Sequence, residues 1–398
     1  MQTVDQIVSG FAQPVQRFAS AYLSERVVRR LWQLAFALFI LTVAAAAWTK
    51  PLFDWDTVAY IAVAIEPGYE TNEELHRAAF AEVEKHAVPA GKWYDFTAGN
   101  PYKQHMYQNA DDFVSQLPMY RVKPAYIWMI RTFSNVADPF TATKIIAVLS
   151  VLASGLVVFL WLNQRDMIHM TALVVPIMLL VQYLEAALFA TPDLSSTACS
   201  LGGIYCLMRG RDWWALPLLF GAFLMRIDAI IFLFALLLAA LAFQTAVRVT
   251  LIAFASALVA YFVIVSGTGH IGWWAHYVFA TVGIQNSLIG FHPDFSIATY
   301  LDGLFRGLVI GIRDYRWMPM VALMIAAGFM LASAGKPFPG RSKMLLTALG
   351  LTFIGKFITF PLPVDRNYLP FVVAMALILI VEVWRPASFS FGRVTERT

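Results

Sequence analysis

Residues 31–49 read LWQLAFALFILTVAAAAWT, an apolar run without a charged side chain. A helix needs about 20 apolar residues to cross a bilayer, so this run is long enough to do so. Three arginines, Arg26, Arg29 and Arg30, precede it. A cleavable signal peptide would begin near residue 1 and end at a small-residue cleavage site, so this later run predicts an uncleaved membrane anchor.

The composition extends this prediction from one segment to the whole chain. Of the 398 residues, 59% are hydrophobic and 14% are charged, and the mean hydropathy is +0.65. Soluble domains average about 45–50% apolar and about 25% charged residues. A soluble core cannot bury this excess of apolar side chains, and the same figures exclude a disordered, fibrous or nucleic-acid-binding chain. Membrane lipids must therefore surround much of the protein.

Further apolar runs predict a bundle of membrane helices. The candidate spans after 31–49 are 140–162, 169–189, 194–208, 213–225, 229–243, 249–265, 317–333, 344–360 and 369–384. Together they predict an all-α polytopic membrane protein with about ten transmembrane helices, in which residues 1–398 form one transmembrane domain.

The distribution of Lys and Arg predicts the orientation of this bundle, because basic residues favour cytoplasmic loops. We expect both termini in the cytoplasm and the protein in the inner (plasma) membrane. The short outer loops near 190–193, 226–228 and 361–368 then contain only two basic residues, Arg226 and Arg366.

Two outer regions are large, 50–139 and 266–316. The orientation depends on the segment Lys123–Val136, which carries Arg131 in its middle. We predict a juxtamembrane helix lying flat on the outer surface here. The alternative is a short span, which would reverse every later loop.

The first outer region opens with two carboxylates among aromatic residues, in the stretch FDWDTVAY at 53–60. An acid at the edge of a membrane is partly desolvated, which raises its pKa and improves it as a proton acceptor near neutral pH. Asp56 and Asp54 are therefore candidate catalytic residues. The alternatives are that either one caps a helix, or that both hold a divalent metal ion with a histidine such as His105.

Aromatic and basic residues further along this region suit a lipid phosphate at headgroup depth. Lys123 precedes the proline that begins the predicted surface helix, where its ammonium can reach an anion. The alternative is an interfacial lysine that extends its charge to water.

Ionisable residues also interrupt the later apolar runs. Arg226 and Asp228 divide the stretch 213–243, and such groups are costly at this depth unless they are paired or face a cavity. We predict a turn there, with Arg226 as a phosphate ligand or in a structural ion pair. Asp193 either caps the helix starting at Leu194 or contacts substrate. Arg366 is a second outward arginine, in a segment that could instead be a helix start with Asp365 as the cap of the last helix.

Six short motifs in this order resemble the GT-C superfamily of integral membrane glycosyltransferases, including lipid A aminoarabinose transferases and protein O-mannosyltransferases. They are Asp56-Thr57-Val58-Ala59-Tyr60, Lys123-Pro124-Ala125-Tyr126-Ile127-Trp128, Thr191-Pro192-Asp193, Arg209-Gly210-Arg211, Arg226-Ile227-Asp228 and Arg366-Asn367-Tyr368-Leu369-Pro370. The chain departs from the family pattern at three points. Thr57 replaces a second acid, Ala125 replaces a second proline, and one residue is inserted after Arg366.

The resemblance implies a GT-C-like helical bundle that transfers a sugar from a polyprenyl-phosphate donor to an acceptor hydroxyl in the cell envelope, at a periplasmic active site. Asp56 would be the base of an inverting displacement, and Lys123, Arg226 and Arg366 would bind the donor phosphate. The predicted substrate-binding residues are Tyr60, Tyr102, His105, Asp193 and Asp228. The acceptor would be a glycan, a lipid or a protein.

Two other functions remain open at the level of sequence. A transporter or flippase of a lipid-linked sugar would share the phosphate-binding cations but need no base. A non-enzymatic assembly protein would predict that the outer polar residues do not converge. The chain carries no nucleotide-binding glycine loop, HExxH or CxxC motif, so no cofactor is predicted, and a divalent metal ion stays open only through the carboxylates.

Overall fold

The computed structural model describes residues 24–385, and within this range the chain is helical apart from turns, loops and one isolated β-bridge between Leu52 and Phe189. This confirms the predicted all-α class. The stretch from Val4 to Leu23, which is moderately amphipathic in sequence, and both chain termini lie outside the described residues.

Within residues 24–385, four helices are long and apolar enough to cross a membrane, which indicates a membrane protein: Glu25–Thr49, Pro139–Gln164, Val247–Thr268 and Gly340–Thr359. The pair Ile297–Asp314 and Trp317–Ser333 would be a fifth if the two helices, bent by 79°, formed one broken span. The predicted count of about ten is therefore not confirmed.

The remaining predicted spans correspond to shorter apolar helices. They are Ile168–Leu180, Asp212–Met225, Ile227–Phe243 and Leu369–Trp384, together with the buried helix Asp193–Met208. The last helix in the described part of the chain changes from α-helix at Leu369–Leu377 to π-helix at Ile378–Trp384. A helix of 14 residues, such as Asp212–Met225, covers about 21 Å, less than the roughly 30 Å of a bilayer core.

The predicted span 169–189 is wrong as a single helix. A 3₁₀ turn at Ile168–Met170 leads into the helix Thr171–Leu180, and a second helix runs over Tyr183–Leu188. Between them Gln182 adopts a left-handed conformation, with φ of 61°, which ends the first helix. The sequence around it is mostly apolar, and its few polar residues do not by themselves predict this turn.

Region 50–139 folds into a compact layer of short helices with its own apolar core. The helices are Trp55–Ile65, Asn72–Ala87, Trp93–Thr97, Pro101–Gln108, Ala110–Ser115, Pro118–Arg121 and Pro124–Phe133, with a 3₁₀ turn at Glu66–Gly68. Fully buried rings and side chains such as Phe96, Met106, Phe113 and Tyr126 fill the centre of this layer.

The segment Lys123–Val136 contains a helix of only ten residues, Pro124–Phe133, which is too short to cross a bilayer. Arg131 in this helix donates hydrogen bonds of 2.9 Å to the carbonyls of Val63 and Ala64, at the end of the helix Trp55–Ile65. These contacts fix the short helix to the layer, and its position on the membrane surface stays a prediction.

The second large region, 266–316, carries the helices Trp273–Thr281 and Ile297–Asp314. The glycines on one face of the longer helix allow it to pack closely, since a Cβ at Gly307 would lie 2.4 Å from the carbonyl oxygen of Pro361. This contact places the second region against the loop that leads to the last helix.

The helix Asp193–Met208 forms the centre of the bundle, with nearly every residue buried. It packs against Pro139–Gln164, Asp212–Met225 and Leu369–Leu377. Small residues permit this close packing, and a Cβ at Gly203 would lie 2.6 Å from the Leu219 side chain. Its first residue, Asp193, is therefore carried to the end of the bundle that faces region 50–139.

Candidate functional site

Acidic and basic side chains from six separate stretches of the chain meet at the end of the bundle next to region 50–139. We call this group the loop-end cluster. Its members are Asp54, Asp56, Lys123, Asp193, Arg226, Asp228, Lys356 and Arg366.

Arg366 joins the first outer region to the bundle. Its guanidinium nitrogens lie 3.6 Å from Asp54, 3.5 Å from Asp56 and 3.5 Å from Asp193, measured to carboxylate oxygens. The same guanidinium lies 4.7 Å from the centre of the Phe189 ring. These ion-pair distances exceed those of a direct hydrogen bond, so the arginine is shared among three acids without being locked to one.

A neighbouring acid fixes the turn that carries Arg366. Asp365 is fully buried, and its carboxylate accepts hydrogen bonds of 2.9 and 2.8 Å from the backbone N–H groups of Arg316 and Trp317. Asp365 therefore satisfies the start of the helix Trp317–Ser333, not the start of the last helix as the sequence suggested.

Arg226 lies at the turn between two short helices, where the sequence predicted a break. A 3₁₀ turn at Ile227–Ala229 separates Asp212–Met225 from Ile230–Phe243 and lets Arg226 bind Asp228 through two hydrogen bonds, of 3.1 and 3.2 Å. Arg226 also donates to Asp193, so one guanidinium links two acids.

Asp193 does not cap a helix starting at Leu194, because it is the first residue of that helix and follows Pro192 at the cap position. Its carboxylate accepts a 2.7 Å hydrogen bond from the Thr191 hydroxyl and pairs with Arg226 and Arg366. Since only 3% of the residue is exposed, these partners offset the cost of burying its charge.

Sequence reasoning missed Lys356. Its ammonium donates to Asp228, and only 8% of its side chain is exposed. A lone lysine inside an apolar run is by default a functional candidate, and this signal could have identified it. Its partner is far away in sequence and became visible only in the fold.

The two candidate catalytic acids lie side by side but differ in their surroundings. Asp54 is the N-cap of the helix Trp55–Ile65 and accepts a 2.7 Å hydrogen bond from the Trp55 N–H. Burial and the neighbouring Asp56 carboxylate raise the pKa of Asp54. Asp56 accepts a 2.9 Å hydrogen bond from the Tyr120 hydroxyl, and 28% of its side chain is exposed. Asp54 therefore caps the helix. The two side chains are about equally exposed, 27% for Asp54 and 28% for Asp56, but Asp56 is held by a side-chain hydroxyl and not by the backbone.

Lys123 stands above aromatic rings at the edge of the cluster. Its ammonium lies 5.1 Å from the centre of the Tyr60 ring and 5.0 Å from that of Tyr120, and it donates a 3.2 Å hydrogen bond to the Met119 carbonyl. Burial lowers the pKa of Lys123 to about 8. Tyr60 itself is buried, packed edge-on against Tyr120 and Tyr126, so it supports the lysine and is not an open ligand contact.

Two predicted substrate residues do not join the cluster. His105 hydrogen-bonds at 2.7 Å to Asp112, and within residues 24–385 it does not form a group with metal-ligand spacing together with Asp54 and Asp56. Tyr102 donates to Gln116 and packs against Trp55, with ring centres 5.5 Å apart. An open cleft of about 370 Å³ beside His76 and Tyr107 is also separate, because it shares no lining residue with the cluster.

Comparisons of the chain with family models, with curated proteins and with solved structures give no match. The arrangement must therefore be interpreted from its chemistry. Four carboxylates alternate with four cations, so the cluster is balanced without a ligand. A bound anion could replace the carboxylates as the partner of these cations. Asp56 would then lie next to the bound anion.

Proposed function

We propose that the protein is a glycosyltransferase that moves a sugar from a polyprenyl-phosphate donor to an acceptor hydroxyl, with Asp56 as the general base and inversion at the anomeric carbon. The observation that carries this proposal is the meeting of Asp56 with Arg366, Arg226 and Lys123 in one cluster. The scaffold hypothesis expected no such convergence.

Asp56 suits the role of base. The Tyr120 hydroxyl and Arg366 occupy part of its oxygen lone pairs, and a carboxylate offers about four acceptor sites. An acceptor hydroxyl could therefore bind the same carboxylate and transfer its proton to Asp56. As the hydroxyl oxygen forms a bond to the anomeric carbon, the bond from that carbon to the phosphate oxygen breaks.

The leaving phosphate would be bound by three cations of the cluster, Arg366, Arg226 and Lys123. Negative charge builds on the phosphate as the bond breaks, and fixed cations stabilise charge that develops in the transition state. The phosphate is a good leaving group, so no strong general acid is required. The polyprenyl chain of the donor would lie along the apolar helices, with the sugar at the periplasmic face of the inner membrane.

The test compares sugar transfer in the wild type and in Asp56→Asn. Membranes containing either protein are incubated with a polyprenyl-phosphate hexose labelled in the sugar, and released polyprenyl phosphate and labelled product are counted. A general base contributes typically 10²–10⁴-fold, so we expect a loss of about that size. Asp302→Asn is the matched control, because Asp302 is half exposed and pairs only with Arg306 outside the cluster.

Near-normal transfer by Asp56→Asn would remove Asp56 from the mechanism. Movement of label across sealed vesicles, without release of polyprenyl phosphate and equally fast in Asp56→Asn, would instead identify the transporter or flippase.

A further inference from the structure

A second group of ionisable side chains lies where region 50–139 meets the bundle. Glu82 and His86 are one turn apart on the helix Asn72–Ala87, and Asp138 is the residue before the helix Pro139–Gln164. Each residue offers one ligand atom within 4.8 Å of the other two. In residues 24–385 this is the one group of histidine and acidic residues with such spacing.

Glu82 carries the second observation. The residue is 7% exposed, and its Oε1 atom is buried without a hydrogen-bond partner, while Oε2 accepts a 2.7 Å hydrogen bond from Lys85. An unpaired buried carboxylate oxygen is costly, and a second carboxylate close by adds repulsion. Lys85 pairs with Oε2, but Oε1 is left without a donor in a carboxylate that lies close to Asp138 and His86.

The other two ligands are already oriented. Asp138 accepts hydrogen bonds from the backbone N–H and the hydroxyl of Thr141, at 2.8 and 2.7 Å. The His86 Nε2 atom lies 2.9 Å from the Asp138 carboxylate, and the imidazole stacks on Phe140 with ring centres 4.3 Å apart. Both side chains are partly exposed, so an ion and its waters could enter.

One imidazole nitrogen and two carboxylate oxygens suit a zinc-like divalent ion better than Ca²⁺ or Mg²⁺, which prefer oxygen ligands alone. Ligand atoms about 2.1 Å from one tetrahedral ion lie about 3.4 Å apart, so atoms that are within 4.8 Å of one another close on an ion when their separations shorten by at most about 1.4 Å. Water would complete the coordination.

We propose that Glu82, His86 and Asp138 bind one zinc-like divalent ion that fastens region 50–139 to the start of a membrane helix. The location gives this ion a structural effect on the loop-end cluster. Phe140 stacks on His86 on one side and on Phe53 on the other, with ring centres 5.2 Å apart, and Phe53 precedes Asp54. The ion would thus fix the stacked rings of Phe140 and Phe53 beside the candidate catalytic acids. The metal site does not depend on the proposed glycosyl transfer.

The test uses the purified full-length chain in detergent, freed of metal by a chelator and without a histidine tag. Zinc chloride is added, bound zinc is counted by mass spectrometry, and the melting temperature is followed. We expect one equivalent of zinc per chain and a melting temperature that rises with zinc concentration, because an ion that binds only the folded state stabilises it by mass action.

Glu82→Gln keeps the shape of the side chain and removes a ligand, so it should bind at least tenfold more weakly and lose most of the zinc-dependent rise. His86→Ala should behave in the same way. Glu84→Gln is the matched control, because Glu84 is an exposed residue of the same helix. Zinc binding and melting that are the same in Glu82→Gln, Glu84→Gln and the wild type would overturn the proposal. So would a Glu82→Gln protein that melts higher than the wild type while neither binds zinc, since the two acids would then share a proton.

Discussion

The bundle carries ionic clusters at both ends, and they are built differently. At the end opposite the loop-end cluster, Glu382 lies among three arginines, Arg165, Arg209 and Arg385, which we call the far-end cluster. The two clusters are joined by the same helix, since Asp193 begins the helix Asp193–Met208 and Arg209 follows it. This helix covers about 24 Å.

The far-end cluster is centred on a single buried acid. The Glu382 side chain is fully buried. Its carboxylate accepts a 3.1 Å hydrogen bond from the Trp161 indole and a 3.0 Å hydrogen bond from Arg165. Its partners belong to different helices, so the acid ties the ends of those helices together. The loop-end cluster contrasts with it in the exposure of its acids, because the Asp56 side chain is 28% exposed and the Glu382 side chain is buried. One cluster is closed around its acid, and the other leaves an acid partly exposed.

The largest effect on stability is expected from Glu382→Ala. Removing the acid leaves Arg209 nearly buried without a carboxylate, while Arg165 and Arg385 remain more than a third exposed. Breaking a buried pair from one side costs about 3–5 kcal/mol, and the exposure of two partners favours the lower end of that range. Thermal unfolding in detergent should show a clearly lower melting temperature.

The control for this prediction is Arg385→Gln, which removes an arginine that is half exposed and 3.8 Å from Glu382. It should change the melting temperature little. If Glu382→Ala unfolded at the wild-type temperature, the far-end cluster would not be structural and the contrast between the two ends would fail.

A smaller and different effect is expected from Arg366→Ala, namely weaker binding of a polyprenyl phosphate. A hydrogen bond to a charged group contributes about 1.5–3 kcal/mol, so affinity should fall roughly 10–100-fold. Arg366→Lys keeps the charge but loses the planar guanidinium, so its affinity should lie between those of the wild type and Arg366→Ala. Binding is measured by displacement of a fluorescent polyprenyl phosphate from protein in lipid nanodiscs.

Arg366→Lys also separates binding from folding, because it preserves a cation among Asp54, Asp56 and Asp193. Unchanged affinity in both variants would show that the loop-end cluster holds the chain together in the same way as the far-end cluster.

The sequence predicted the long helices well and the short ones less well. The runs at 31–49 and 140–162 are uniformly apolar, with charges near their ends, and each lies within one long helix. The run 169–189 is mostly apolar but contains Gln182 and Glu185, and the chain breaks at Gln182, because an isolated polar residue does not distinguish a left-handed turn from a continuing helix.

The cluster was predictable where charges interrupt apolar segments, as at Arg226 and Arg366. The ion pairs themselves depend on contacts between residues far apart in sequence. Lys356 and its partner Asp228 illustrate this, as does Asp365, which caps a helix that begins earlier in the chain. Local pattern can identify a costly charge, but it cannot identify the partner that offsets the cost.

The smallest predicted effect is a pH dependence of donor binding that comes from Lys123. Burial lowers the pKa of its ammonium to about 8, so the cation is present below that pH and is lost as the pH rises through it. The groups that face Lys123 are Asp56, Asp193, Asp228, Arg226, His270 and His276. Burial lowers the pKa of both histidines, that of His276 to about 3, so neither gains or loses charge above pH 7.

A polyprenyl-phosphate hexose is a phosphodiester with one fixed negative charge, so a change in its affinity between pH 7 and pH 9 reports on the protein. We expect wild-type affinity to fall several-fold over this range, by less than about tenfold, because a bound phosphate raises the pKa of its lysine. Lys123→Arg stays charged throughout and should bind with a flat profile. Lys92→Arg, at an exposed lysine outside the cluster, should keep the wild-type slope. If Lys123→Arg retained that slope, the titrating group would lie elsewhere, and the ligand role of the loop-end cluster would rest on its two arginines and Lys356.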